Sequence, residues 1–342
     1  MSAPLRLRLD GAALTDNWRT LARMSGSAAC GAALKADGYG LGASEAARRL
    51  AGAGCRDFFV ATWAEAEALA PLGVSLAVLH GVREDDMPAA LSGMARPVLN
   101  TAAQVARWKG AGGGVCDVMV DTGMNRLGIA AEEIAAGLLD GLAIDTLMSH
   151  LASADEDVAL NETQRSAFAA LTGKTGAKRM SLANSAGIAL GAGYAFDLTR
   201  PGVALYGGVP RSEFAGLIRP VVTPEAQILQ RRRVPAGGVV GYNATWTAPA
   251  PTEVAILNLG YADGYWRGFS NKGVARAGGR PLPVIGRVSM DLTAIDVGAA
   301  PDLAESDWVT IDYALPEAAA LSGMSQYELL TGLGGRYERV WS

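Results

Sequence analysis

Short apolar runs and longer amphipathic segments alternate along the first two-thirds of the chain. Apolar runs of strand length occupy 29–35, 57–61, 75–80, 97–100, 116–121, 145–150, 179–183 and 203–206. Between them lie alanine-rich stretches with apolar residues at helical spacing, at 44–53, 64–72, 85–93, 102–110, 131–139 and 161–171. Strand–helix alternation predicts a parallel sheet. Eight rounds within roughly 210 residues predict a closed barrel rather than an open sheet. Near Arg219 the pattern changes. From Pro220 onward Pro, Gly, Val and Thr cluster and the apolar period becomes two, with strands expected at 225–234, 253–259, 273–276, 281–288, 292–297 and 308–311. One helical pattern remains, at 325–330. The expected fold class is α/β: an N-terminal (β/α)8 TIM-like barrel over 1–219, followed by a mostly-β C-terminal domain over 220–342.

Composition narrows the function. The formal net charge is -4 and no basic tract occurs, which argues against a nucleic-acid partner. The first ten residues lack an apolar h-region, so no secretory signal is expected. No apolar run reaches membrane-spanning length. Cys30, Cys55 and Cys116 are few, odd in number and mostly in apolar context, as expected of reduced thiols in a cytoplasmic protein. Only His80 and His150 are histidines, and no metal-ligand spacing is present.

Barrel enzymes place their chemistry at the C-terminal ends of the strands. The polar residues there are Lys35, with Tyr39 just beyond, then the loop Asp121-Thr-Gly-Met-Asn-Arg126, Ser149-His150, Asn184-Ser185 and Thr199-Arg200-Pro-Gly202. A lysine ending a buried strand is costly unless its charge is paired or its amine is used covalently. Glycines at 38, 40 and 42 let the following backbone turn sharply and approach a bound group. The loops after strands seven and eight form a phosphate site in many barrels. Ser185 and the amides around Ser185 and Gly202 suit that role, although Asn184-Ser185 also reads as a simple helix cap. A lysine combined with a phosphate cradle suggests pyridoxal phosphate.

Eight short segments then resemble the alanine racemase family, fold-type III pyridoxal-phosphate enzymes, in the family's order. They are Lys35-Ala-Asp-Gly-Tyr-Gly, Asp121-Thr-Gly-Met-Asn-Arg-Leu-Gly128, Ser149-His-Leu-Ala-Ser-Ala-Asp155, Ala183-Asn-Ser-Ala186, Arg200-Pro-Gly-Val-Ala-Leu-Tyr-Gly207, Val240-Gly-Tyr-Asn-Ala-Thr-Trp246, Gly260-Tyr-Ala-Asp-Gly-Tyr265 and Gly286-Arg-Val-Ser-Met-Asp291. The resemblance implies that Lys35 holds pyridoxal 5'-phosphate as a Schiff base and later acts as one of two bases, with Tyr242 as the other. It implies that Tyr39, Ser185, Gly202 and Tyr327 hold the cofactor phosphate. Arg200 would face the pyridine nitrogen, with His150 against the ring, and Arg126 would reach the phenolic oxygen. Tyr261 and Met290 would line the substrate end. Tyr242 and Met290 would enter from the partner subunit of a homodimer, and Asp291 would lie near the entryway. The implied activity is interconversion of L- and D-alanine, supplying D-alanine for peptidoglycan. A broad-specificity or serine racemase of the same fold stays open, because a methyl contributes only about 1–3 kcal/mol of discrimination.

Elementary chemistry suits these roles. Racemisation removes a proton from one face of a carbon and returns one to the other, which two opposed bases do with little substrate motion. A free phenol has a pKa of about 10, so a tyrosine base needs cationic or donor neighbours. A guanidinium offers only donors, so a pyridine nitrogen facing Arg200 stays unprotonated and is a weaker electron sink. Tyr265 would add to the pocket wall. The sequence also departs from the family. Met119 stands where many members carry a carbamylated lysine, so some other group, such as a bound anion or Asp121, must help orient Arg126. Asn125 and Leu41 replace a glycine and a histidine.

Overall fold

The computed structural model describes residues 3–342. The chain forms two units: Leu14–Arg219, and Pro220–Ser342 together with the N-terminal residues up to Ala13. The described residues up to Ala13 therefore group with the second unit, outside the one expected at 1–219. Leu5–Leu9 pairs antiparallel with Val222–Val234 and parallel with Glu338–Trp341. Its Leu-Arg-Leu-Arg-Leu alternation buries Leu5, Leu7 and Leu9 on one face. Arg6, on the other face, pairs with Glu225 and stacks over Trp308.

In the barrel unit, seven strands follow one another in chain order. They are Ala32–Ala33, Asp57–Val60, Ser75–Val78, Arg96–Leu99, Cys116–Met119, Ile144–Met148 and Arg179–Ser181. All their pairings are parallel. The circle closes through Leu198–Thr199, which pairs parallel with Ala29–Cys30. On that side the amides of Ala29, Gly31 and Ala33 donate to the carbonyls of Asp197, Thr199 and Pro201. On the other side the amides of Asp197 and Arg200 donate to Met180 and Ala183. The eighth strand is thus Leu198–Thr199. The segment 203–206, expected as that strand, is the 3-10 turn Val203–Tyr206. Four buried apolar residues read alike in a strand or a buried turn.

One residue from each of six strands fills the interior: Phe59, Ala77, Val98, Met119, Met148 and Leu198. This is a packed layer, as expected of a barrel core, and Met119 belongs to it. The helices Ala43–Ala53, Trp63–Leu69, Ala102–Gly110 and Ala159–Ala169 lie close to their expected positions. Thr62 and Thr101 cap two of them through their hydroxyls. At the N-terminal ends of the strands, Arg179 bridges Asp57 and Asp145, and Arg96 binds the buried Asp117. That end is fastened by charge. The opposite end carries the glycine-rich turns.

The second unit is an antiparallel barrel. Its order runs Thr252–Leu257, Thr293–Asp296, Arg280–Ile285, Val274–Ala277, Trp308–Ile311 and Val222–Val234, which returns to pair with Thr252–Leu257. The long strand serves both closures because its register shifts between Ile228 and Gln230. The short hairpin Val239–Val240 with Trp246–Thr247 and the helix Leu315–Ser322 lie outside the expected elements.

Candidate active site

Lys35 follows the first barrel strand directly, and the chain then enters a left-handed turn. Ala36, Asp37, Gly38 and Tyr39 have φ of 55°, 52°, 63° and 56°. For the three residues other than glycine this costs roughly 1–2 kcal/mol each, so the surroundings must over-determine it. They do. The Gly38, Gly40 and Gly42 amides bond back to Leu34, Ala36 and Asp37 at 2.7, 2.8 and 2.9 Å. The Asp37 carboxylate accepts the Ala43 amide at 2.8 Å. The Ala36 amide donates to Glu65 at 2.7 Å. The turn points Tyr39 inward, where its ring stacks on buried Tyr206 at 4.9 Å. The Tyr206 hydroxyl in turn donates to the Ala33 carbonyl at 2.9 Å.

Tyr39 meets Gly202 there. A Cβ on Gly202 would sit 2.0 Å from the Tyr39 hydroxyl, so only glycine fits. The Ser185 hydroxyl accepts from the Gly202 and Ala204 amides at 2.9 and 3.2 Å and keeps its own O–H to donate. Asn184 caps the turn of helix that Ser185 begins, accepting the Gly187 amide at 2.8 Å. Its carboxamide thus acts as the cap, while Ser185 faces the Gly202 turn. Tyr39, Ser185 and the Gly202 turn converge on one small polar site. Hydroxyls set against a glycine turn suit a phosphate.

Arg200 is buried. Its Nη1 donates to the Ser181 hydroxyl and its Nη2 to the Ser149 carbonyl at 2.6 Å. Burial pulls its pKa down to about 10, opposed by Asp117. His150 follows the strand Ile144–Met148. Burial, then Arg200, Arg126 and Lys35, push its pKa down to about 3, so it stays neutral. The Lys35 amine is also shifted below its ordinary value, by burial first and then by Arg126 and Arg200, with Glu65 opposing. A lysine whose amine is made easier to deprotonate, among two arginines and a neutral histidine, suits nucleophilic attack and proton transfer.

Arg126 sits on the exposed loop after Cys116–Met119. Asp121 spends one carboxylate oxygen on the amides of Gly123, Met124 and Asn125, at 2.8, 3.0 and 3.1 Å. It therefore shapes the loop that carries Arg126 without binding the guanidinium. The Thr122 and Ser149 hydroxyls join this loop to the next at 2.7 Å.

The other expected residues lie on the second unit. Tyr242 begins the turn Tyr242–Ala244 and is 67% exposed. Met290 is 54% exposed. The loop carrying it is held to the Tyr261 turn, where the Tyr261 and Ala262 amides donate to Ser289 and Met290 at 3.0 Å each. Asp263 and Asp291 both bind Arg336. Tyr327 is on Gln326–Thr331 and is 44% exposed. Tyr265, expected in a pocket wall, is instead 2% exposed and stacked on Phe269 at 4.4 Å. Sequence reasoning missed Glu65 and Ser181. Ser181 had one signal, a hydroxyl inside an apolar strand.

Comparison with known proteins places this geometry. The family model described as "Alanine racemase, N-terminal domain" matches residues 9–210, and the one described as "Alanine racemase, C-terminal domain" matches residues 221–341. An alanine racemase of Acidiphilium cryptum is 44% identical, over 98% of each chain. A protein of Agrobacterium fabrum named as a catabolic alanine racemase is 40% identical, over 98% of this chain and 91% of that one. Among solved structures, an alanine racemase of Bartonella henselae with covalently bound pyridoxal phosphate superposes with a TM-score of 0.89, at 34% identity over all of both chains.

Proposed function

The chain belongs to the alanine racemase family, and from that premise we propose that it interconverts L- and D-alanine with pyridoxal 5'-phosphate, using Lys35 and Tyr242 as its two bases. The observation that carries the reading is the turn after Lys35, which seats Tyr39 against the Ser185–Gly202 turn at one barrel end. When bound, the cofactor supplies an electron sink for the negative charge left when the α-proton departs. The chain's residues do the rest. Tyr39, the Ser185 hydroxyl and the Gly202 turn would hold the phosphate, joined by Tyr327. Arg200, donor-only and fixed by Ser181 and Ser149, would offer the pyridine nitrogen an N–H and so no proton of its own. Neutral His150 would lie beside the ring without adding charge. Arg126 would pair with the phenolic oxygen. The Lys35 amine takes or gives the α-proton on one face.

Tyr242 serves the opposite face. Its exposure, and that of Met290, supports a homodimer in which both residues enter the partner's site. Tyr261 and Met290 bound the substrate side chain. Supply of D-alanine for peptidoglycan, in the cytoplasm, is the role this activity fits. No helix among the described residues is long and apolar enough to cross a membrane. The broad-specificity alternative is separated by assaying a panel of L-amino acids with chiral product detection. Turnover confined to alanine supports the reading. Equal turnover of bulkier side chains overturns its substrate assignment.

A further inference from the structure

Glu65 lies 30 positions beyond Lys35, yet its carboxylate ties together two barrel loops. One oxygen accepts the Ala36 amide at 2.7 Å. The other accepts the amides of Ala61 and Thr62 at 2.7 and 3.1 Å. Thr62 and Glu65 also form a reciprocal cap at the start of Trp63–Leu69. A cap of that kind needs only the Thr62 amide and the Thr62 hydroxyl. The bond to Ala36 is additional, and it lands on the first left-handed residue after Lys35. Among the charged groups bearing on the Lys35 amine, Arg126 and Arg200 are cations and Glu65 is the anion. His150, facing the same amine, is neutral.

We propose that Glu65 is a positioning residue for Lys35, clamping the strained turn that aims the lysine and supplying the negative charge that offsets the two arginines. The idea rests on the assignment of Lys35 as the cofactor lysine. A carboxylate suits the position because both oxygens must accept. In a Glu65→Gln variant the amide has one acceptor, and its NH2 must face either the Ala36 amide or the Ala61–Thr62 pair.

The test follows pyridoxal phosphate added to the cofactor-free protein, by its visible absorbance, over a range of pH. Capture joins the Lys35 nitrogen to the aldehyde carbon with loss of one water, and it requires the neutral amine. The pH midpoint of the capture rate therefore reports Lys35, and the plateau reports its placement. E65Q is expected to move the midpoint to lower pH by about half a unit or more and to lower the plateau severalfold. T62A loses the same helix cap without touching Ala36 and is expected to leave both unchanged. A wild-type midpoint and plateau in E65Q, or equal changes in T62A, would reduce Glu65 to a helix cap. Should E65Q fail to fold, E65D keeps the charge but falls short of one loop. It is expected to hold the midpoint and lose plateau, and a wild-type plateau overturns the clamp. K35A is the separate control: visible capture in K35A sinks the cofactor assignment itself, whatever E65Q does.

Discussion

The barrel end and the loops of the second unit both carry proposed functional residues but present them in opposite ways. Around Lys35 the polar groups are enclosed and tied to one another: Arg200 to Ser181 and Ser149, Ser185 to the Gly202 turn, Tyr39 against Tyr206. On the second unit the loops are equally well braced. The Tyr261 turn is bonded to Ser289 and Met290, and Asp263 is bound by Arg336. Yet the side chains of Tyr242 and Met290 stand in solvent. A rigid backbone holding out an exposed tyrosine and methionine is what a surface needs if it completes a site elsewhere. On the proposed reading, the first region binds and the second is received by a partner chain.

Breaking the enclosed half is expected to have the largest effect. Lys35→Ala removes both the attachment point and one base, and racemisation should fall by roughly 10⁴-fold or more. Chiral chromatography reads that loss, together with disappearance of the visible absorbance of the bound cofactor. Breaking the exposed half should cost less. Tyr242→Phe is expected to slow racemisation by about 10²–10⁴-fold in both directions equally, since the enantiomers have equal energy. The cofactor absorbance should persist, and Lys35 should still exchange the α-proton of D-alanine with solvent deuterium. Loss of that exchange, with cofactor retained, would sink the division into two bases. If the exposed half works on a partner chain, specific activity should drop on dilution in step with dissociation seen by sedimentation. A fully active monomer contradicts the shared site.

Two smaller effects sharpen the enclosed half. Ser181→Ala leaves one buried Arg200 N–H without its acceptor, an expected loss of about 1–3 kcal/mol. It should appear in kcat/KM and as side reactions of the cofactor, with the fold intact. His150 makes stability depend on pH. Its folded pKa, about 3, lies below the ordinary 6.5, so between those values the unfolded chain holds the extra proton. Stability from this residue is full above pH 6.5 and falls as pH drops toward 3, by up to about 1.4 kcal/mol per pH unit. Urea midpoints for His150→Gln against wild type should converge as pH falls through that window. Parallel curves contradict a half-buried neutral imidazole.

Much of the barrel was legible because its signals are local. A strand followed by a helix leaves a short periodic record, and Lys35, His150 and Ser185 could each be placed at a strand end from their own few neighbours. The same reasoning failed at 203–206, where a buried turn is as apolar as a strand, and at Leu198–Thr199, too short to show a period. Tyr265 failed similarly: an aromatic next to a glycine-rich motif reads as pocket lining, and only packing on Phe269 reveals it as core.

The sequence by itself determined the two classes of periodicity, the point near Arg219 where one yields to the other, and the residue types able to hold a phosphate and a lysine-bound cofactor. Tertiary structure alone decided that Leu5–Leu9 joins strands more than two hundred residues away, that Asp121 shapes a loop and does not grip Arg126, and that Glu65 reaches back to the turn after Lys35. The physical reason is the range of the forces. Side-chain periodicity is set by neighbours within a turn or two. Which distant amide a carboxylate or strand edge satisfies is settled only when the folded chain must find a partner for every buried polar group.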